Sequence, residues 1–137
     1  MKVYNNISNV KRGDIFYADL PIGKGHVQGG VRPVLIISND VGNRYSPVLI
    51  VCPLTTRDKK PLPTHATINA QTKSIVLCEQ QQCIDKEQLK SYVGTATESE
   101  MKKVDVALAI SIGLNYITDF FKNSNNKNMN QEVVPVC

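Results

Sequence analysis

The sequence predicts an α+β fold: a small, strongly bent sheet or barrel with one C-terminal helix covering its open side. Two observations lead there. Short β-branched and apolar runs, punctuated by glycine, proline and asparagine, fill the chain up to about residue 95. A long apolar repeat with helical spacing appears only after residue 97. Strands and helices therefore do not alternate, which argues against a doubly wound parallel sheet or a P-loop architecture. At 137 residues and 42% hydrophobic, the chain can build one domain with its own core, expected over residues 1–122.

The elements follow in order. Residues 14–20, Asp-Ile-Phe-Tyr-Ala-Asp-Leu, have strand composition. Residues 21–30 are a glycine-rich loop. Residues 34–38 are apolar throughout, so a central strand is expected there. Gly42, Asn43, Ser46 and Pro47 predict a turn over residues 40–47. A third strand covers 48–54, a charged loop with two prolines covers 57–63, and further strands cover 64–68 and 74–82. Asp85 with Gln88 three residues on, and Thr97 with Glu100, both fit capping boxes at helix starts. A short strand is expected at 92–94 between them. Met101, Val104, Ala107, Leu108, Ser111 and Ile112 then recur at helical spacing, predicting a helix to about Phe121. Residues 123–137, rich in asparagine, read as a disordered tail.

Net charge is +4, compatible with a nucleic-acid partner and equally with an ordinary basic surface. No apolar run approaches the roughly 20 residues of a membrane span, and the N-terminal residues lack the apolar core of a signal peptide, so a cytoplasmic protein is expected. Of the four cysteines, Cys52 and Cys78 lie in apolar runs, and Cys78 and Cys83 lack a nearby histidine. This is not a zinc spacing, and no metal or cofactor is expected.

Chemistry concentrates around Gln28-Gly29-Gly30-Val31-Arg32-Pro33. Two glycines make a tight turn, and proline removes a ladder donor at the mouth of a strand. Arg32 is pinned between them. Its guanidinium is always charged and forked to suit phosphate. Two readings stand: a phosphate-binding cation, or a structural partner for Asp14, Asp19 or Asp40. Gly23-Lys24-Gly25 looks like a phosphate loop but lacks the following Ser or Thr and the helix a P-loop needs. Thr55 and Thr56 close a strand, where hydroxyls serve either propensity or a site. His26 in the loop is a candidate acid or base, and His65, alternating with Thr67, reads as structural. Glu79-Gln80-Gln81-Gln82 is a polar patch suited to base edges or simply solvated. Lys11-Arg12 and residues 57–60 are basic patches consistent with backbone contacts or plain surface.

Taken together, Lys11-Arg12-Gly13-Asp14, Gln28-Gly29-Gly30-Val31-Arg32-Pro33-Val34-Leu35, Asn39-Asp40-Val41-Gly42-Asn43-Arg44, Pro53-Leu54-Thr55-Thr56, Leu62-Pro63-Thr64-His65, Glu79-Gln80 and Ile84-Asp85-Lys86 resemble, in colinear order, the MazF/PemK family of toxin ribonucleases, in particular its EndoA-type branch. The resemblance spans roughly residues 10–120. It implies an SH3-like β-barrel with a C-terminal helix, assembled as a homodimer. It also implies a metal-independent, sequence-specific endoribonuclease that cuts single-stranded mRNA, at UACAU-like sites in EndoA-type relatives, and a cognate MazE-like antitoxin whose acidic segment covers the RNA-binding face. By position, the catalytic arginine falls on Arg32 and the catalytic threonine on Thr55. RNA contacts are expected at Gln28, Gly29, Gly30, Asn39, Thr56, Glu79, Gln80 and Gln82. Two departures stand out. Val27 occupies a position where relatives often carry glutamate, so either no carboxylate base acts there or neighbouring His26 takes over. Gln82 stands where relatives often carry arginine. Two alternatives remain within the same resemblance: a non-enzymatic toxin that poisons DNA gyrase, which the lack of tryptophan argues against, and an inactive member that only binds RNA or antitoxin.

Overall fold

In the computed structural model, which describes residues 9–58, 60–114 and 116, the apolar segments pair into a seven-stranded sheet. The strands are β1 (Asp14–Leu20), β2 (Gly30–Ile36), β3 (Val48–Thr55), β4 (His65–Ala70), β5 (Thr72–Leu77), β6 (Gln82–Asp85) and β7 (Leu89–Thr95). Two helices, α1 (Asp40–Tyr45) and α2 (Glu98–Ser111), and 3₁₀ turns at Cys78–Gln80 and Lys86–Gln88 complete the described elements. The order is β4-β5-β3-β2-β1-β7, all antiparallel, with β6 also on β3. One edge of β3 holds β2. The other is shared: β6 takes its first half at Val48–Val51, and β5 takes its end at Leu54 and Thr55. The sheet bends around this branch without closing, so a barrel describes it only approximately.

The bend creates two cores. In β2 and β3 successive side chains point to opposite faces, and both faces are covered. Leu35, Cys52 and Leu54 join Ile15, Ile68, Val76 and Val104 in a core under α2. Val34, Ile36 and Val51 join Phe16, Leu49, Ile84 and Leu89 in the other. This is why residues 34–36 are apolar without alternation. A register irregularity between β1 and β7 near Phe16 adds to the curvature.

Three local expectations are corrected. Residues 40–47 hold the helix α1 instead of a simple turn. Asn39 Oδ1 accepts from Gly42 N–H at 2.8 Å, and fully buried Asn43 bonds Ser38 and Asp40, so the polar residues that suggested a turn build a cap and a buried network. The strand expected at 74–82 is split, because the chain turns at Cys78–Gln80 to leave β5 and join the other half of β3's edge. The helix expected to reach Phe121 stops at Ser111. Gly113 has φ +77°, its N–H bonds the Ile110 carbonyl at 3.1 Å, and Leu114 N–H bonds that of Ala109 at 2.7 Å. That is a Schellman cap, which a left-handed glycine closes. Residues 117–121 and the expected tail at 123–137 lie outside the described residues. Strand β2 begins at Gly30, four positions before its expected start, and β7 extends over Leu89–Thr95 around the expected 92–94.

Both capping boxes form. Asp85 caps Lys86–Gln88, and Thr97 Oγ1 accepts from Glu100 N–H at 3.2 Å while Glu100 Oε1 accepts from Thr97 N–H at 2.8 Å. Glu100 Oε2 also accepts from Asn69 N–H at 2.7 Å, tying the start of α2 to β4. Partial burial pushes the Glu100 carboxyl up, but the Thr97 and Asn69 amides and the Thr97 hydroxyl outweigh it and hold it below the usual glutamate value. Arg12 secures the other side of α2, pairing with Asp105 at 2.6 Å and donating to the Ile37 carbonyl at 2.9 Å. The basic patch at residues 11–12 is thus partly a structural joint. Among the described residues no helix is long and apolar enough to cross a membrane.

Thr97→Ala is expected to cost about 1 kcal/mol of stability, read as a lower urea midpoint. The Glu100 carboxyl titrates lower in the folded protein than in the unfolded chain. Its contribution is complete above the ordinary glutamate range and is lost as pH falls through the folded value, so Glu100→Gln should destabilise at neutral pH and less in acid. Cys52 and Cys78 are fully buried and Cys83 is exposed. A hydrogen bond with Cys78, then burial, pushes the Cys52 thiol far up. Iodoacetamide on the native protein should label Cys83 and spare Cys52 and Cys78, as mass-spectrometric mapping will show.

Candidate active site

Antiparallel pairing brings the beginning of β2 to the end of β3. The β2–β3 register runs through Val34 opposite Pro53; continued by one pleat, it sets Arg32 abreast of Thr55. Both side chains line one open cavity of about 250 Å³, with Pro33, Leu54, Thr56, Arg57 and Ser74.

Arg32 is half-buried and held by neutral acceptors. Its Nε donates to the Gly29 carbonyl at 3.0 Å, and its Nη1 donates to Gln28 Oε1. No carboxylate pairs with it among the described residues. Asp14 instead accepts from Lys11 N–H and the Thr95 hydroxyl, Asp40 from Arg12 N–H and Asn43, and the Asp19 carbonyl from Gln88. The structural-partner reading of Arg32 is thereby set aside. A guanidinium carries five N–H groups. Two are engaged, and the remaining three keep full positive charge available to an anion.

Thr55 is buried to 6% exposure, and its Oγ1 accepts from Arg57 N–H at 3.2 Å. A hydroxyl that accepts from the backbone two residues on keeps its own O–H free to donate. Thr56 beside it is exposed. The cavity therefore offers donors and no carboxylate, which suits a phosphate.

The loop over residues 21–29 is shaped by two glycines. Gly30 has φ +78°, a conformation that disfavours any side chain. A Cβ on Gly29 would stand 2.6 Å from the Pro21 carbonyl oxygen and 2.7 Å from Ile22 Cα, both backbone atoms. Gln80, from the 3₁₀ turn after β5, crosses to this loop. Its Oε1 accepts from Gln28 N–H at 2.8 Å, and its Nε2 donates to the His26 carbonyl at 3.0 Å.

The other expected residues do not line this cavity. His26 is exposed on the loop. Glu79 Oε2 meets His65 Nε2 at 2.9 Å, where the imidazole is nearly buried and its Nδ1 has no hydrogen-bond partner among the described residues. Asn39 spends its Oδ1 on the cap of α1. Gln82 opens β6 opposite Val51, half-buried. Among the described residues no group of three His, Cys, Asp or Glu side chains is placed to hold a metal.

With this geometry in hand, comparison with known proteins is decisive. Residues 11–112 match the family described as PemK-like, MazF-like toxin of type II toxin-antitoxin system. The chain belongs to that family. It is 47% identical over 111 residues to Endoribonuclease EndoA of Bacillus subtilis (strain 168), an alignment covering 77% of this chain and 96% of that protein. Among solved structures, an endoribonuclease in complex with its cognate antitoxin from a mycobacterial species superposes with a TM-score of 0.67 at 28% identity, covering 77% of this chain and 96% of the other. MazF from Deinococcus radiodurans superposes with a TM-score of 0.67 at 23% identity over 76% of this chain and 96% of its own, a likeness of fold.

Sequence reasoning singled out Arg32 and Thr55 and placed Arg57 in a basic patch suited to backbone contacts, but passed over Ser74; Arg57 and Ser74 line the same cavity of this PemK/MazF-like chain. Ser74 is buried at 3% exposure and donates to the Thr72 carbonyl at 3.0 Å. A serine between Lys73 and Ile75 of a strand carries no signal of its own in the sequence. Gly29→Ala is expected to push the loop off its seat, because the new methyl meets backbone. Trypsin cleavage after Lys24 should accelerate several-fold while the circular dichroism of the sheet is kept.

Proposed function

We propose that the cavity at the Arg32–Thr55 end of the sheet is the RNA-cleaving centre of a sequence-specific, metal-independent endoribonuclease, the toxin half of a toxin–antitoxin pair. The observation that carries the reading is the placement, on one open cavity, of an arginine that has no carboxylate partner among the described residues and a hydroxyl that accepts from the Arg57 N–H and can donate its own proton. Membership of the family and the 47% identity to an endoribonuclease support it.

The chemistry follows from the donors. The ribose 2′-oxygen attacks the adjacent phosphorus, the bond to the 5′-oxygen breaks, and negative charge rises on the non-bridging oxygens. The unengaged N–H groups of Arg32 stabilise that charge, and the Thr55 hydroxyl donates to one of those oxygens. The 2′-hydroxyl gives up its proton to a base, the leaving 5′-oxygen takes one from Arg32, which regains it from solvent, and a 2′,3′-cyclic phosphate remains. Val27 supplies no carboxylate for the first transfer, and the exposed His26 imidazole beside it takes that role in this proposal. Thr56 at the cavity, with Glu79 and Gln82 on either side of Gln80, provides polar groups for the flanking single-stranded nucleotides. A cleavage site like UACAU fits the EndoA likeness. The protein acts in the cytoplasm as a homodimer. The partner is a MazE-like antitoxin, in line with the mycobacterial endoribonuclease solved in complex with its cognate antitoxin, and in this proposal an acidic segment of it covers the cationic face.

Purified protein should cut a long transcript at few positions in the presence of EDTA. Arg32→Ala and Thr55→Ala should fold and each lose on the order of 10²–10³ in rate, measured by mapping the fragment ends. Full activity in both variants, or cleavage abolished by EDTA, would sink the assignment. A His26→Ala variant at wild-type rate assigns the first proton transfer to solvent.

A further inference from the structure

The loop carrying Gln28 hangs from one side chain outside it. Residues 24–28 are linked internally by Val27 N–H to the Lys24 carbonyl at 3.3 Å. Beyond the Gln28–Arg32 bond, their hydrogen bonds to the rest of the described protein both come from Gln80, which grips the Gln28 N–H and the His26 carbonyl with the two ends of one carboxamide. Gln80 itself sits on a firm base. The turn Cys78–Gln80 starts at fully buried Cys78, whose N–H bonds the Thr64 carbonyl at 3.1 Å, and Gln81 next to it bonds both the Cys78 carbonyl and Ser111 of α2. The gripped loop in turn presents Gln28 Oε1 and the Gly29 carbonyl to two N–H groups of Arg32.

From this continuous chain of bonds we infer that Gln80 is a positioning residue. It tethers the loop so that Gln28 and Gly29 fix the orientation of the Arg32 guanidinium and leave its other N–H groups aimed into the cavity. The inference deepens the proposed ribonuclease reading and rests on it for its catalytic consequence. A side chain with both ends of its carboxamide occupied is a poor reader of base edges, which need donor and acceptor together. A guanidinium misplaced by about 1 Å loses on the order of 10²-fold in rate. The tether should therefore appear in kcat, whereas a base contact should appear in KM.

The test compares wild-type protein with Gln80→Ala and Gln80→Glu on a short single-stranded RNA spanning one mapped cleavage site. Gln80→Glu keeps the size of the side chain and an acceptor for Gln28 N–H, but it sets a carboxylate oxygen against the His26 carbonyl. Both variants should lose roughly 10- to 100-fold in kcat with KM within about twofold. In ¹⁵N spectra of the RNA-free protein, the Arg32 Nε–H resonance should be sharp and slow to exchange in the wild type, and broadened or lost in both variants. A raised KM at unchanged kcat makes Gln80 an RNA contact and overturns the inference, as does an unaltered Arg32 resonance. If the wild type does not cut RNA but the resonance changes as stated, the tether stands and the ribonuclease reading falls.

Discussion

The structure depends on the pairing of β2 with β3. Where they pair, at Val34–Ile36 and Val51–Pro53, both strands are buried on both faces, so a slip of register there would move an apolar set into the wrong core or expose it. One edge of β3 is split between β6 and β5, and this makes the sheet bend. The bend separates the core under α2 from the core beside β6 and β7. The same antiparallel pairing puts the glycine-rich entrance of β2 against the threonine exit of β3. The site thus lies beside the fully buried stretch of this strand pair, which gives it a firm floor while its rim stays open.

Two arginines illustrate how environment assigns a role. Arg12 pairs its guanidinium with Asp105 and donates from it to the Ile37 carbonyl, while its backbone N–H donates to Asp40. Its charge is neutralised locally, and it serves to join α2 to the loop before β1. Among the described residues Arg32 meets a carbonyl and a carboxamide oxygen and no carboxylate. Neutral acceptors orient the guanidinium without cancelling its charge, which is the condition for stabilising charge that develops on a phosphate. Thr55 has the matching property: its lone pair is committed to Arg57 N–H, so its proton points elsewhere.

Much of this was legible in the chain. The first strand, both capping boxes and the α+β class follow from local rules: alternation, propensity and reciprocal side-chain–backbone bonding within four residues. The segments misread are those where a distant partner decides. Residues 40–45 fold into a helix because Asn43 finds Ser38 and Asp40 in a buried network. Residues 74–82 break because β3 offers two different edges along its length. The stop at Ser111 was visible in Gly113, a left-handed cap that the apolar period running past it concealed.

The chain by itself determined the chemistry on offer: an arginine pinned between glycines and proline, two threonines ending a strand, and motifs in an order that pointed to the PemK/MazF-like family. Backbone preference and residue type are local properties, so they can be read without coordinates. Only the tertiary structure decided that Arg32 has no carboxylate partner among the described residues, that Thr55 shares its cavity, and that Gln80 reaches across 52 positions of sequence to hold Gln28. Those facts depend on which strand edges meet, and strand pairing is set by burial of the whole sheet, which no single segment encodes.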